Sequence, residues 1–218
     1  MSMRTGGRRV RVVRWTAPAL AVLIALSTQA FAATTDPFSS PQLSGYAAGG
    51  ASGWYVTNEQ LAHTYTSRTG FVELVRPTGV PRAEADLTLS TGRANAGLTV
   101  LWKDHSNHLW AKLEVSPGNP SGIMTIGRRL RGKTTSLLVA SKGGLVRGAT
   151  YHVVLQVSGG VATFTATGVD VSFSKAISYR LTSSDLGAFG TGGYAGVRAK
   201  YLYDEDDGGS RWDNLTVG

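Results

Sequence analysis

Hydrophobic and polar residues alternate with a period of two along much of the chain, and apolar residues at helical spacing are hard to find. Successive side chains on a β-strand point to opposite faces, so this alternation is typical of strands that bury one face. The 28 glycines, among many threonines, serines and valines, fit short strands separated by turns. The pattern predicts one all-β domain of antiparallel strands.

The clearest alternation lies between Gly97 and Val115, which we expect to form a hairpin with a four-residue turn at 104–107. If Lys103 lies opposite His108, both strands sort into one apolar side and one polar-aromatic side, whereas a slip of one residue would scramble both. The apolar side, which we expect to enter the core, comprises Leu98, Val100, Trp102, Leu109, Ala111, Leu113 and Val115. The opposite side comprises Thr99, Leu101, Lys103, His108, Trp110, Lys112 and Glu114.

Other stretches show the same alternation. Residues 82–90 predict a strand, and residues 151–167 predict a second hairpin around a two-residue turn at Gly159-Gly160. Residues 194–203 and 211–217 are predicted as further strands, joined by an acidic loop. The segments predicted as connections are 36–53 and 172–193.

Residues 1–32 have the three parts of a secretory signal peptide. The first 14 residues contain five arginines and no acidic residue. An apolar run follows from Ala17 to Leu26, and Ala30-Phe31-Ala32 supplies a small-x-small cleavage site. A retained membrane anchor is the alternative, but a spanning helix needs about 20 apolar residues. We therefore expect a secreted protein whose domain comprises residues 33–218. The pair Arg8-Arg9 leaves the export route, general or twin-arginine, open.

Removing this leader changes the charge of the protein. The chain has 22 Lys and Arg against 14 Asp and Glu, and without the five leader arginines the net charge is 17 − 14 = +3. Nucleic-acid binding therefore loses most of its support, and we expect neither a nucleic-acid partner nor a membrane partner after cleavage. The chain has no cysteine, so burial alone must stabilise it in an oxidising compartment.

Three parts of the sequence carry a resemblance to a known superfamily. They are Asp36-Pro37-Phe38 with Trp54-Tyr55-Val56, the central stretch 97–107, and Gly193–Val197 with Trp212–Val217. The chain resembles the concanavalin A-like lectin/glucanase superfamily, the jelly-roll domains that include laminin-G-like modules. The resemblance implies a two-sheet antiparallel β-sandwich, often with a sugar-binding concave face. It does not fix the function, because the same fold hosts lectins, glycanases, polysaccharide lyases and structural modules.

The glucanase branch of this superfamily would require a Glu-x-Asp-x-Glu motif on one strand. Here Glu84 and Asp86 are weak catalytic candidates, but the third position is Thr88, so one carboxyl group is missing. Hydrolysis of this type is not expected, and the two acids are interpreted as solvated strand positions.

A polysaccharide lyase remains an alternative. Abstraction of a proton beside a uronate carboxylate needs a base and a neutralising charge. The candidates are His108 or His152, Tyr201 or Tyr203, and Arg198, although no intact lyase motif is present.

Trp110 is the leading carbohydrate-binding candidate. An exposed indole offers a flat apolar surface on which a sugar ring can stack, and neighbouring polar groups can then reach the hydroxyls. The accompanying candidates are Lys103, His108, Lys112, Glu114, Arg198 and Lys200. The alternative is that Trp110 is covered and merely packed, since large aromatic residues are mostly buried.

The acidic loop is a tentative calcium site. Asp204, Asp206 and Asp207 offer oxygen ligands of the kind calcium prefers, and Asp36 or Asp213 could complete the shell. A solvated acidic turn is the alternative, and no cofactor is required. The sequence thus favours a secreted, non-catalytic carbohydrate-binding β-sandwich. A glycan-active enzyme with its acids on the same concave face, or a structural or adhesive module, remain the alternatives.

Overall fold

The computed structural model describes residues 33–50, 53–63, 70–141, 143–190, 193–200 and 209–218. Within these ranges the chain forms two antiparallel sheets and one short helix, which confirms the predicted two-sheet antiparallel β-sandwich. In chain order the elements are β1 (Thr34–Asp36), β2 (Ala47–Gly49), β3 (Trp54–Thr57), β4 (Gln60–His63), β5 (Val72–Thr78), β6 (Arg82–Thr88), β7 (Ala94–Asp104), β8 (Asn107–Ser116), β9 (Asn119–Leu130), β10 (Lys133–Ser141), β11 (Thr150–Ser158), β12 (Val161–Gly168), β13 (Ser174–Arg180), α1 (Ser183–Phe189), β14 (Gly193–Ala199) and β15 (Arg211–Val217).

The strands divide between a seven-stranded and an eight-stranded sheet. The first has the order β10-β9-β8-β7-β14-β5-β2, and the second has the order β13-β12-β11-β6-β15-β4-β3 with β1 added beside β15. One hydrophobic core is drawn from both sheets, so the sheets pack face to face. Trp212 of β15 also ties the two sheets together, because its buried indole N–H donates to the carbonyl oxygen of Gly97 in β7 at 3.2 Å.

The predicted alternation is confirmed in β6, β11 and β12. In each of these strands the alternate residues predicted to face the core do so, for example Ala83, Ala85 and Leu87 in β6. Ser158 pairs with Val161, so Gly159 and Gly160 form the predicted two-residue turn. Both glycines have positive φ (56° and 73°), which this tight turn requires and which side chains disfavour.

The hairpin of β7 and β8 differs from the prediction at its tip. Asp104 pairs with Asn107, so the turn has two residues rather than four. Leu101 has a φ of 50° and belongs to the core, while the register between β7 and β14 shifts by one residue at this point. This bulge places Val100 and Leu101 on the core side and turns Trp102 away from it, so the predicted core position of Trp102 is wrong.

The segment 172–193, predicted as a connection, contains β13 and α1. Thr182 caps the helix, since its hydroxyl accepts from the Asp185 amide and the Asp185 carboxylate accepts from the Thr182 amide. The buried Asp185 also forms an ion pair with Arg128 of β9. Among the described residues, no helix is long and apolar enough to cross a membrane.

Candidate functional site

The side of the seven-stranded sheet that faces away from the core carries buried polar and aromatic side chains. The strand register aligns Glu73, Arg198, Gly97, Lys112 and Thr125 across β5, β14, β7, β8 and β9. The buried members of this surface, which we call the polar face, are Glu73, Asn95, Thr99, Trp102, His108, Trp110, Thr125 and Arg198.

Trp110 lies within this face but is not an open platform. Its side chain is 2% exposed, so the expectation of an exposed indole is wrong and the packed alternative describes it. The ring lies directly against Gly127, where any side chain would overlap it. The guanidinium carbon of Arg198 lies 4.3 Å from the centroid of the Trp110 indole and 3.8 Å from the centroid of the Phe71 ring. The arginine is thus stacked between two aromatic rings, a favourable cation–π arrangement.

Glu73 organises the centre of the polar face and is not among the residues predicted from the sequence. Its side chain is 0% exposed, with Oε2 2.7 Å from His105 Nδ1 and Oε1 3.5 Å from His108 Nε2. Arg198 Nε lies 3.9 Å from the same Oε1. A carboxylate so deeply buried needs such partners, because an unpaired buried charge is strongly unfavourable. The available signal was an acidic residue inside the apolar run 72–75.

The protonation of His105 follows from its two partners. Arg129 Nη1 lies 2.9 Å from His105 Nε2, and a guanidinium group can only donate. Nε2 therefore accepts, and the proton of the neutral ring sits on Nδ1, which donates to Glu73. The result is a directed chain of hydrogen bonds from Arg129 through His105 to Glu73.

His108 is buried neutral beside the same carboxylate. Burial lowers its pKa to about 4, Glu73 opposes this shift, and Arg198 adds to it. Its Nδ1 lies 3.2 Å from the carbonyl oxygen of Asp104, which can only accept, so Nδ1 carries the proton. The lone pair on Nε2 consequently faces Glu73 Oε1 without a donor between them.

Unpartnered buried polar atoms concentrate on this surface. Among the described residues, nine of the eleven buried side-chain nitrogen and oxygen atoms without a hydrogen-bond partner belong to the polar face or to Arg129 beside it. They are Glu73 Oε1, Asn95 Oδ1, Trp102 Nε1, His108 Nε2, Trp110 Nε1, Thr125 Oγ1, Arg129 Nε, Arg198 Nε and Arg198 Nη2. Buried polar groups are ordinarily satisfied, so this face has hydrogen-bonding capacity that the protein itself does not use.

The other predicted binding residues lie around this centre. Lys112 forms an ion pair with Glu114, which also accepts from Asn95 Nδ2 at 3.2 Å, and burial lowers the pKa of Lys112. Lys200 Nζ lies 5.0 Å from the Phe71 ring centroid. Lys103 is exposed near the tip of the β7–β8 hairpin. The structure thus gathers the predicted set on or beside one sheet.

Glu84 and Asp86 lie on the opposite side of the sandwich. Both belong to β6 in the eight-stranded sheet and face away from the core. Glu84 forms an ion pair with Arg82, and Asp86 lies 2.9 Å from His152 Nδ1. The expectation that these acids share a surface with Trp110 and Arg198 is therefore wrong, because the whole core separates them.

Two other sets of candidates are only partly covered by the structure. Of the proposed lyase residues, His108 and Arg198 lie together, His152 does not join them, and Tyr201 and Tyr203 lie outside the described residues.

The acidic-loop residues Asp204, Asp206 and Asp207 also lie outside the described residues. Asp36 accepts from the Phe38 amide at 2.8 Å and from the Tyr46 hydroxyl at 2.9 Å, while Asp213 accepts from the Asn214 amide at 2.7 Å. The described part of the chain contains no group of three or more side chains arranged to hold a metal ion.

Comparison with known proteins supports the fold and not a closer relationship. No family model and no curated protein matches the chain. Lectin II from Ulex europaeus is similar with a TM-score of 0.59 and 9% identity over 84% of this chain and 96% of the lectin. The CBM2 module of the Lactobacillus casei BL23 phage J-1 evolved Dit gives 0.59 and 9% over 84% and 93%. The VIP36 exoplasmic/lumenal domain, solved in a Ca²⁺/Man3GlcNAc-bound form, gives 0.54 and 13% over 84% and 86%. The chain therefore has the concanavalin A-like jelly-roll fold.

Proposed function

We propose that this protein is a secreted, non-catalytic carbohydrate-binding module that takes up a glycan at the polar face of the seven-stranded sheet. The observation that carries the proposal is the concentration of unpartnered buried donors and acceptors on that face. Sugars present hydroxyl groups that both donate and accept, and binding sites commonly combine a few fixed polar groups with aromatic side chains.

The polar face is accessible at its edge beside the β7–β8 turn. There His105 is 34% exposed, and the rings of His105 and Trp102 both lie close to Gly49. Trp102 packs edge-on against Tyr194 at 5.5 Å between centroids. Arg129 completes this edge through its hydrogen bond to His105. We call Trp102, His105, Arg129 and Tyr194 the rim. The rim supplies aromatic faces and hydrogen-bonding groups within reach of a ligand.

The structural neighbours favour a glycan over a protein ligand. One is a lectin solved in complex with galactose, with a TM-score of 0.60 and 8% identity. Since similarity at this level of identity concerns the fold, it raises the expectation of sugar binding without naming the sugar.

A binding screen with two pairs of variants tests the proposal. The protein without residues 1–32 would be applied to a glycan array and to affinity gels that contain soluble polysaccharides. His105→Ala and Tyr194→Ala are expected to weaken binding by about tenfold each, because residues at the centre of a contact carry most of its energy. The matched controls are His152→Ala and Tyr55→Ala on the eight-stranded sheet, which are expected to leave affinity unchanged.

Three outcomes would contradict the proposal. Absence of binding to every glycan would remove the function itself. Equal losses in the rim and control variants would place the site elsewhere. Release of reducing ends or of unsaturated uronates by the wild-type protein would show that the module is catalytic.

Secretion belongs to the same proposal. Expression of the full chain is expected to yield an exported product whose mass and N-terminal sequence correspond to cleavage after Ala32. A product that retains residues 1–32 in the membrane fraction would contradict it.

Calcium binding by the acidic loop is a separate part of the proposal. Melting temperature measured with calcium and with a chelator tests it, since an ion that binds only the folded state raises the melting temperature. Equal melting temperatures would argue against a stabilising ion.

A further inference from the structure

We infer that the glycan bound at the polar face is acidic, and that its carboxylate or sulfate groups are recognised by Arg129 at the rim and by the Arg198 side chain behind it. This inference rests on the proposed function and adds the chemical class of the ligand.

The unpartnered hydrogen-bond donors of the polar face and rim outnumber the unpartnered acceptors. Around Glu73 the unpartnered donors are the Nε groups of Arg129 and Arg198, Arg198 Nη2, and the indole N–H groups of Trp102 and Trp110. The unpartnered acceptors of the polar face are Glu73 Oε1, His108 Nε2 and Asn95 Oδ1, and Thr125 Oγ1 can either donate or accept. A ligand that completes this region must supply mainly acceptors, and oxyanions offer acceptors only.

The formal charges around Glu73 leave an excess of positive charge. Arg198 contacts Glu73 directly, and Arg129 contacts it through His105. The single negative charge of Glu73 offsets the charge of only one of these two guanidinium groups. His105 and His108 contribute no charge when neutral, because each carries its single proton on Nδ1. One positive charge is therefore left beside the rim, where an anionic group would offset it and a neutral sugar would not.

Exposed cations also lie on the turns near the rim. The β9–β10 turn packs against the β7–β8 turn, since the Gly132 amide donates to the Ser106 carbonyl and the Arg131 amide donates to the Asn107 side chain, both at 3.0 Å. This contact brings the exposed Arg131 and Lys133 to the same end of the sheet as the exposed Lys103.

Of the acidic groups near these turns, Asp104 keeps its charge, because its donors, the Ser106 amide at 2.7 Å and Asn107 Nδ2 at 3.0 Å, are neutral. Asp185 pairs with Arg128. The three cations therefore outnumber the free carboxylate. An acidic polymer would therefore meet a positive surface before it reaches the rim, which speeds association and favours this class of ligand.

Binding to matched polymers tests the inference. The pairs are polygalacturonate with its methyl ester, and dextran sulfate with dextran, so that each pair differs in the anionic group alone. We expect the acidic member of at least one pair to bind about tenfold or more tightly, and the two pairs distinguish a carboxylate from a sulfate ligand. Measurements at 0.15 M salt screen weak long-range attraction.

Two arginine variants localise the effect. Arg129→Gln is expected to reduce affinity for the acidic polymer about tenfold and affinity for the neutral partner by less, so that the preference for the acidic member falls. Arg180→Gln, an exposed arginine of β13 on the other sheet, is the matched loss of charge and is expected to have no effect. Arg131→Gln, at an exposed turn position, provides a second rim-side variant that cannot disturb the buried network.

The outcomes separate the inference from the function on which it rests. Equal binding of acidic and neutral partners, with the rim variants of the glycan screen still impaired, would overturn the inference and leave carbohydrate binding intact. The inference would also be overturned if Arg180→Gln weakened acid-selective binding as much as Arg129→Gln does. The selectivity would then come from the overall charge of the protein and not from the rim. No binding to any polymer or arrayed glycan would overturn both.

Discussion

Two histidine–carboxylate pairs of nearly equal length lie on opposite sides of the sandwich. His105 Nδ1 lies 2.7 Å from Glu73 on the seven-stranded sheet, and His152 Nδ1 lies 2.9 Å from Asp86 on the eight-stranded sheet. The difference between them is their surroundings. Glu73 is 0% exposed, whereas Asp86 is 29% exposed and His152 is 49% exposed.

The exposed pair can be completed by solvent, but the buried pair cannot. Asp86 also accepts from Asn214 Nδ2 at 2.9 Å, and water can reach its remaining lone pairs. Glu73 Oε1 has no hydrogen-bond partner, because Arg198 Nε lies 3.9 Å away and the nearer His108 Nε2, at 3.5 Å, presents a lone pair. A histidine and a carboxylate therefore form an ordinary surface contact on the eight-stranded sheet and the centre of an incomplete hydrogen-bond network on the seven-stranded sheet. Only a ligand or an ordered water can complete that network.

The largest difference between the two pairs is expected when each carboxylate is neutralised. Glu73→Gln leaves the guanidinium of Arg198, 1% exposed, without its anion, and should lower the free energy of unfolding by about 3–5 kcal/mol. Asp86→Asn should lower it by about 1 kcal/mol or less, because solvent screens the exposed pair. Chemical denaturation of both variants measures these values. Equal losses of unfolding free energy in the two variants would show that the burial of Glu73 does not make its ion pair more important for stability than the exposed one.

The alternation along the sequence predicts much of the fold because each strand has one buried side. It assigns the core side of β6, β11 and β12 and most of the β7–β8 hairpin. It fails at Leu101 and Trp102, since the bulge that exchanges their sides depends on pairing with β14, far along the chain. A pattern with a strict period of two cannot contain an extra residue.

The candidate site was harder to predict than the fold. Local sequence places Trp110, His108 and Arg198 on one surface, but it does not show that Arg198 stacks on Trp110 or that Gly127 leaves room for the ring. Glu73 lies in an apolar run, where an isolated acid is easily taken for an exception. Burial of such a group is decided by partners from other strands, and only the assembled sheet brings them together.

The packing of the polar face is tested next by adding one methyl group. At Gly127 a Cβ would overlap the Trp110 ring, so Gly127→Ala should destabilise the protein by about 1–3 kcal/mol through overpacking. Gly118→Ala is the matched control, because nothing lies within 4 Å of its added Cβ. Denaturation together with near-ultraviolet circular dichroism would report the stability and the indole environment. A harmless Gly127→Ala would show that Trp110 is free to move and that the stack with Arg198 is loose.

The pH dependence of stability distinguishes the buried network from the exposed surface. The pKa of His108 is lowered to about 4 in the folded state from 6.5, so the unfolded state takes up a proton first as the pH falls. The stabilisation is complete above pH 6.5 and is lost as the pH falls towards 4. One pKa unit corresponds to about 1.4 kcal/mol, so the free energy of unfolding should fall by about 2 kcal/mol between pH 6.5 and about pH 5.

The control for this titration is a pair of histidine variants. His108→Gln should flatten the decline between pH 6.5 and about pH 5, whereas His152→Gln should retain it because His108 is still present. The slope is compared rather than the absolute stability, so a general loss of stability in His108→Gln does not obscure the result. A decline that persists unchanged in His108→Gln would assign it to other groups.

The smallest effect is expected on the exposed side, at the ion pair between Arg82 and Glu84. Arg82 also donates to Gln156 Oε1 at 2.9 Å, but its side chain is 37% exposed. Exposed pairs on a strand surface contribute little, because solvent screens the attraction and two long side chains lose conformational freedom. Arg82→Gln should therefore change the free energy of unfolding by about 0.5 kcal/mol, and 0.5 M salt should remove most of that difference. A loss of stability as large as that of Glu73→Gln would show that the outer face of the eight-stranded sheet depends on its charges as much as the polar face does. The contrast between the two sheets would then not hold.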